Sequence, residues 1–206
     1  MATDGSFIHV YEPGDPGAPT VLLLHGTGGN EQSLLGFGRQ AAPDWNLLAV
    51  RGRSLEEGFP RFFRRFSATR YDQEHLAAEA DALAAFLKEA ADRYGFPAAA
   101  IWALGYSNGA NIGVATLARN PGSLRGAALL RGVMPFAEPP AADLSGRSVL
   151  LLHGRDDPYG VIAGQLAPWL RSSGASVREH TLATGHGLTK EDVTLSSGWL
   201  AQQKAG

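Results

Sequence analysis

The sequence predicts an α/β protein: a mostly parallel central sheet with helices packed on both of its faces. Two observations carry this. Short apolar runs rich in Val, Leu and Ile alternate along the chain with longer segments of helical period. The apolar runs are continuous, without polar alternation, as expected for strands covered on both sides. Alternation of this kind with short turns produces parallel strands joined by helical crossovers.

The strands read as follows. "FIHVY" (Phe7 to Tyr11) opens the chain, and "TVLLLH" (Thr20 to His25) is apolar throughout. "NLLAV" (Asn46 to Val50), "AIWAL" (Ala100 to Leu104), "GAALL" (Gly126 to Leu130), "SVLLLH" (Ser148 to His153) and "VREHTL" (Val177 to Leu182) read in the same way. Helices fall between them. The clearest spans Glu74 to Tyr94, where Leu76, Ala80, Leu83, Leu87, Ala90 and Tyr94 step by three or four and share one face. Gly95 and Pro97 stop it. The others are Gln32 to Ala42, Asn108 to Arg119, Val161 to Ser172 and Glu191 to Gln203. The Pro-rich "AEPPAADLSG" (Ala137 to Gly146) is short enough for a surface loop, so residues 1–206 read as one domain.

Composition excludes several function classes. A net charge of -2 offers no field for nucleic acid or an anionic membrane surface. Cysteine is absent, which removes disulfides, thiolate metal sites and a cysteine nucleophile. The first residues lack the basic and apolar blocks of a signal peptide, and no apolar run approaches the roughly 18 residues of a membrane span. A cytoplasmic protein is expected. The apolar-rich helices permit a homodimer.

In open sheets of this class, ligands bind beyond the carboxyl ends of the strands. The residues just after the apolar runs read "HGTGGN", "RGRSLE", "GYSNGAN", "RGVMPF", "HGRDDP" and "ATGHGLT". Polar, glycine-rich and titratable residues therefore collect at one edge. Within them, Gly105-Tyr106-Ser107-Asn108-Gly109 matches G-x-S-x-G, set between a strand and a helix. A serine on so sharp a turn stands in a strained conformation, and a Cβ at either glycine would clash. The free N–H groups at the start of the following helix point at the same spot.

A serine hydroxyl needs a base to become a nucleophile. Of the six histidines, His9, His25, His75, His153 and His180 read as structural or surface residues. His186 differs, because glycines flank it in a loop after the last strand. The orienting carboxylate comes from "RDDP". Asp157 is preferred over Asp156, since the following proline holds it extended. The order Ser107, Asp157, His186 is the order of the α/β-hydrolase fold and differs from both protease orders. The N–H of Asn108 and that of Thr27, in "HGTGGNE", are the expected oxyanion donors. A dinucleotide-binding turn at Gly26-Thr27-Gly28 fails, because its third glycine would fall at Glu31. No metal-ligand spacing such as H-E-x-x-H is present.

"LLLHGTGGNE", "RGRSLEEGFPRFFRR", "ALGYSNGANIGVATL" and "LLHGRDDPYG" with "GHGLT" together resemble the bacterial phospholipase/carboxylesterase family of α/β-hydrolases. The likeness is to its branch of small carboxylesterases related to a hydroquinone-inducible hydrolase, and it runs from about Val21 to Leu200. The resemblance implies a serine esterase, in some members a thioesterase, with no cofactor and no cap domain. Many members carry Trp-Phe-Asp before the long helix, where this chain has Arg61-Phe62-Phe63-Arg64-Arg65. Phe62 and Phe63 are expected either to wall the substrate pocket or to pack beneath the loop. In the first case Arg61 or Arg64 would favour an anionic group.

The segment between the strands ending at Leu130 and beginning at Ser148 is too short for a lid, which implies a shallow site for small, short-chain acyl esters. Two alternatives stand beside this reading. One is a thioesterase or lysophospholipase using the same residues. The other, from a different class, is a small-molecule binding protein that keeps the fold without turnover.

Overall fold

The structure, a computed structural model, describes residues 6–204. In chain order its strands are β1 (His9–Glu12), β2 (Thr20–Leu24), β3 (Asn46–Val50), β4 (Ser54–Glu56), β5 (Phe59–Arg61), β6 (Ile101–Tyr106), β7 (Gly126–Leu130), β8 (Ser148–Gly154) and β9 (Ser176–Leu182). Its α-helices are α1 (Leu35–Ala41), α2 (Gln73–Tyr94), α3 (Asn108–Arg119), α4 (Gly160–Ala163), α5 (Leu166–Ser172) and α6 (Lys190–Lys204). Seven strands form one sheet in the order β1-β3-β2-β6-β7-β8-β9. Only β1 is antiparallel to its neighbour; the other pairs are parallel.

The parallel strands are apolar throughout because each face meets its own core. Along β2, Leu22 and Leu24 point into a cluster with Leu83, Leu87, Ile112 and Leu170. Val21 and Leu23 point the other way, into a cluster with Leu35, Trp45, Trp102 and Trp199. Strict alternation of side chains across the sheet makes both positions apolar.

Helix α2 begins at Asp72, whose carboxylate accepts from the His75 N–H at 3.0 Å. It ends at Gly95, held at φ 73°. Among the described residues no helix is long and apolar enough to cross a membrane.

Four details differ from the sequence expectations. The helix expected from Gln32 starts at Leu35, because Asn30 Oδ1 accepts from the Gln32 N–H and holds a turn there. The helix expected over 161–172 is two pieces, α4 and α5. Pro168 lies four residues beyond Gly164, so it supplies no N–H to that carbonyl and its ring crowds it. Strand β9 is an edge strand, largely exposed and bearing charge, where a buried strand was expected. The hairpin of β4 and β5 was not anticipated. Its turn consists of Glu57 and Gly58, both at positive φ, which suits a two-residue loop.

Helix α3 lies hard against the sheet. All its residues from Asn108 to Ala118 are buried. A Cβ placed on Gly109 would stand 2.0 Å from the Leu24 carbonyl oxygen and 2.4 Å from its carbon. Both neighbours are backbone, so neither can rotate away. Gly109→Ala is expected to cost about 3 kcal/mol, read as a shift in urea midpoint. A loss below about 1 kcal/mol would mean that α3 is free to move off β2.

Candidate active site

Ser107 sits on the corner between β6 and α3 with φ 53° and ψ -114°. Positive φ in a residue with a Cβ costs about 1–3 kcal/mol and persists only where the surroundings enforce it. Here the Ser107 N–H donates to the Leu130 carbonyl at 2.8 Å, and the Asn111 N–H donates back to the Ser107 carbonyl at 3.0 Å. Gly105 completes the turn: its Cβ would stand 2.5 Å from the Gly109 oxygen. Gly105 is thus required by the backbone at the start of α3, and Gly109 by the backbone at the end of β2.

His186 reaches this corner from the loop after β9. Its Nε2 lies 2.9 Å from Ser107 Oγ, and its Nδ1 lies 2.8 Å from Asp157 Oδ2. A carboxylate partner holds the proton on Nδ1 and leaves the Nε2 lone pair facing the serine hydroxyl. The other Asp157 oxygen accepts from the Tyr159 N–H at 2.9 Å. Asp156, the rejected neighbour, is exposed and uses its N–H on the Thr184 carbonyl.

The histidine loop is clamped from below. Gly154 lets it pass, since a Cβ there would stand 2.1 Å from the Gly185 oxygen. Arg131, at the end of β7, donates to the carbonyls on both sides of His186: Gly185 from Nε and Gly187 from Nη2, each at 3.2 Å. The same guanidinium forks onto Asp192 of α6 at 2.8 and 2.9 Å, and both side chains are fully buried. Asp192 in turn accepts from the Thr189 N–H at 2.7 Å. Tyr106 donates its hydroxyl to the His186 carbonyl at 3.1 Å.

The N–H groups of Thr27 and Asn108 have no acceptor among the described residues. Asn108 is also a strut. Its Oδ1 accepts from the Phe62 N–H at 2.8 Å, tying the segment after β5 to the serine corner. His25 steadies the Thr27 loop. Its Nδ1 meets the Gly26 carbonyl at 2.6 Å, and its Nε2 accepts from the Gly52 N–H at 3.0 Å.

A cavity of about 300 Å³ opens over Ser107, Asn108 and His186. Thr27, Arg61, Arg65, Tyr71, Tyr159 and Arg131 also line it. Phe62 and Phe63 do not. They are 1% and 0% exposed, packed with His25 and Tyr71, so the expectation that they wall the pocket is corrected to packing beneath the loop. Arg64 is exposed and paired with Asp72 at 2.8 Å, away from the lining. Arg61 does line it. Arg65, Tyr71, Tyr159 and Arg131 were not anticipated from sequence. Arg131 and Tyr159 follow apolar runs at the site edge, where a signal existed; Tyr71 lies before α2 and carried none. Among the described residues no three His, Asp or Glu side chains converge as a metal site requires.

Residues 6–196 match the phospholipase/carboxylesterase family. The chain belongs to this family. It is 39% identical over 193 residues to the hydrolase MhqD of Bacillus subtilis (strain 168), covering 93% of this chain and 96% of that one. The carboxylesterase of Bacillus cereus superposes with a TM-score of 0.93 at 38% identity, covering 97% of this chain and 95% of that one. The carboxylesterase of Mesorhizobium loti gives 0.92 at 36%, covering 98% and 97%. This member of the family has an α/β-hydrolase fold and is a hydrolase acting on ester bonds.

Two outcomes follow from this geometry. Arg131→Met leaves Asp192 charged and unpaired in the core, and it should cost about 3–5 kcal/mol in chemical denaturation. Adding Asp192→Leu should recover part of that. The second concerns pH. Burial holds the His25 pKa below its ordinary value, and burial does the same to His153. The unfolded chain therefore binds these protons at higher pH than the native one, and stability is full above about pH 6.5 and falls below it. Protonation of His25 at Nε2 would in addition break the bond it accepts from the Gly52 N–H. The slope of stability against pH between about 6.5 and 5 should be shallower in His25→Asn, with His153 supplying the remainder.

Proposed function

We propose that the protein is a serine carboxylesterase for small, short-chain acyl esters, working through an acyl-enzyme. The observation that carries this reading is the unbroken chain Ser107–His186–Asp157, with contacts of 2.9 and 2.8 Å, of which Ser107 and His186 line the cavity. In the first half-reaction Ser107 Oγ attacks the ester carbonyl while its proton passes to His186 Nε2. Asp157 holds the imidazole tautomer and stabilises the imidazolium. The Thr27 and Asn108 N–H groups stabilise the tetrahedral oxyanion, each donor contributing roughly 10²–10³ in rate. As the intermediate collapses, His186 returns the proton to the leaving alkoxide. Water then attacks the acyl-enzyme in the same way, and the carboxylic acid leaves.

The size and lining of the cavity support short acyl chains. At about 300 Å³, with arginine and tyrosine side chains around it, it offers no apolar trough for a long chain. A lysophospholipase would need one. A preference for long-chain, interfacial substrates in an ester panel would overturn this part of the reading.

Ser107→Ala should lower kcat by on the order of 10⁴–10⁶-fold. It should change stability by no more than about 1 kcal/mol, the value of the single hydrogen bond it loses. A fluorophosphonate should label the wild-type protein at Ser107 and leave the variant unlabelled. Activity retained in the variant would remove Ser107 from the mechanism.

A further inference from the structure

Arg61 is the last residue of β5, and only 3% of it is exposed. Its Nη1 donates to Thr27 Oγ1 at 2.7 Å, and its Nε makes a long contact of 3.4 Å to the Phe63 carbonyl. Its Nη2 has no acceptor among the described residues. No carboxylate lies within 4.0 Å of the guanidinium among them either. That is unusual for a buried cation, because removing a charge from water is costly unless an opposite charge meets it. The other deeply buried arginine obeys the rule: Arg131 is neutralised by Asp192.

The surroundings sharpen the point. Burial and the neighbouring Arg65 both act against the charge on Arg61. The Glu56 and Glu57 carboxylates favour that charge only from beyond 4.0 Å, and Glu56 accepts the Arg65 N–H at 3.2 Å. Three arginines and no carboxylate line the cavity among the described residues, and only Arg131 has its charge met. Arginine stays protonated at any working pH, so the cavity over Ser107 holds two arginine charges, Arg61 and Arg65, with no carboxylate in contact among the described residues.

We propose that Arg61, supported by Arg65, is an anion subsite that selects esters bearing a second, free carboxylate: half-esters of short dicarboxylic acids. Arg61 lines the cavity with its Nη2 unpartnered among the described residues, and a carboxylate accepts such donors with charge-assisted hydrogen bonds. Arg61 also touches Thr27, the residue offered as an oxyanion donor, and the cavity measures about 300 Å³. A short carbon chain therefore separates the bound carboxylate from the scissile carbonyl. The inference rests on the esterase reading above, and it assigns Arg61 to substrate choice, with the chemical step left to Ser107 and His186.

The test compares monoethyl succinate with ethyl butyrate by proton release. Wild-type enzyme should prefer the half-ester in kcat/KM by roughly tenfold or more. In Arg61→Gln the ratio of the two kcat/KM values should fall by about that factor, chiefly through the KM of the half-ester. Equal losses on both esters would make Arg61 an oxyanion or packing residue and overturn the proposal. So would a wild-type ratio near one. Because Arg61 is buried, Arg65→Gln on the cavity rim gives a second arm, in which the ratio should fall about threefold. Succinate binding supplies a readout that needs no turnover. At about 10 mM it should raise the Tm of the wild type and raise that of Arg65→Gln less. No rise in the wild type would overturn the subsite. Fluorophosphonate labelling of Ser107 keeps the two readings apart: labelled protein without half-ester preference loses the subsite alone, and unlabelled protein that still binds succinate loses the esterase alone.

Discussion

The contact on which the rest of the structure depends is the one between α3 and the end of β2. At Gly109 the helix backbone meets the Leu24 carbonyl with no room for a side chain. That closeness forces the chain to turn sharply out of β6, and the turn puts Ser107 into a conformation that an unconstrained serine avoids. The strain is held by hydrogen bonds to Leu130 and Asn111 on either side. Without it, the hydroxyl would not stand at the sheet edge, and the helix N–H groups would not converge beside it. The energy stored at one residue is spread over a large, tightly packed core, which is why the corner can be kept.

Around that corner the protein uses arginine in two opposite ways. Arg131 is a structural ion, its charge met by Asp192 and its remaining donors given to the Leu152 carbonyl of β8 and to two carbonyls of the histidine loop. Such a pair adds little to net stability when compared with apolar residues of similar size. Its value lies in direction: five donors in a fixed plane hold two loop carbonyls and one helix in a single arrangement. Arg61 has no such counter-ion among the described residues, and it lines the cavity over Ser107.

Much of this was legible in the sequence, and the reasons are physical. The G-x-S-x-G corner is readable because close backbone approach admits only glycine, so the constraint is written in two letters. Five sheet strands, β2, β3, β6, β7 and β8, read as buried runs because both faces of the sheet are covered there. Strand β9 broke the rule, since an edge strand faces water and carries charge. The serine, aspartate and histidine could be listed because each follows a strand; that they stand within 2.9 Å of one another is visible only in the fold. What stayed hidden depends on contacts between distant segments. Nothing near Asp192 announces that it neutralises Arg131, 61 residues earlier. The aromatic pair Phe62 and Phe63 could pack inward or line the pocket by sequence alone. The β4–β5 hairpin turns them inward and leaves Arg61 at the cavity.

The lock between β7 and α6 has a bearing on how the protein is made. Ribosomes extend a chain from its N-terminus, so every strand of the sheet emerges before His186 and Asp192 do. Until α6 docks, Arg131 lacks its counter-ion and the loop that carries the imidazole lacks its anchor. The nascent polypeptide can therefore gather its sheet and its serine corner before the imidazole loop is anchored, and under the proposed mechanism hydrolysis begins only when the closing helix seats.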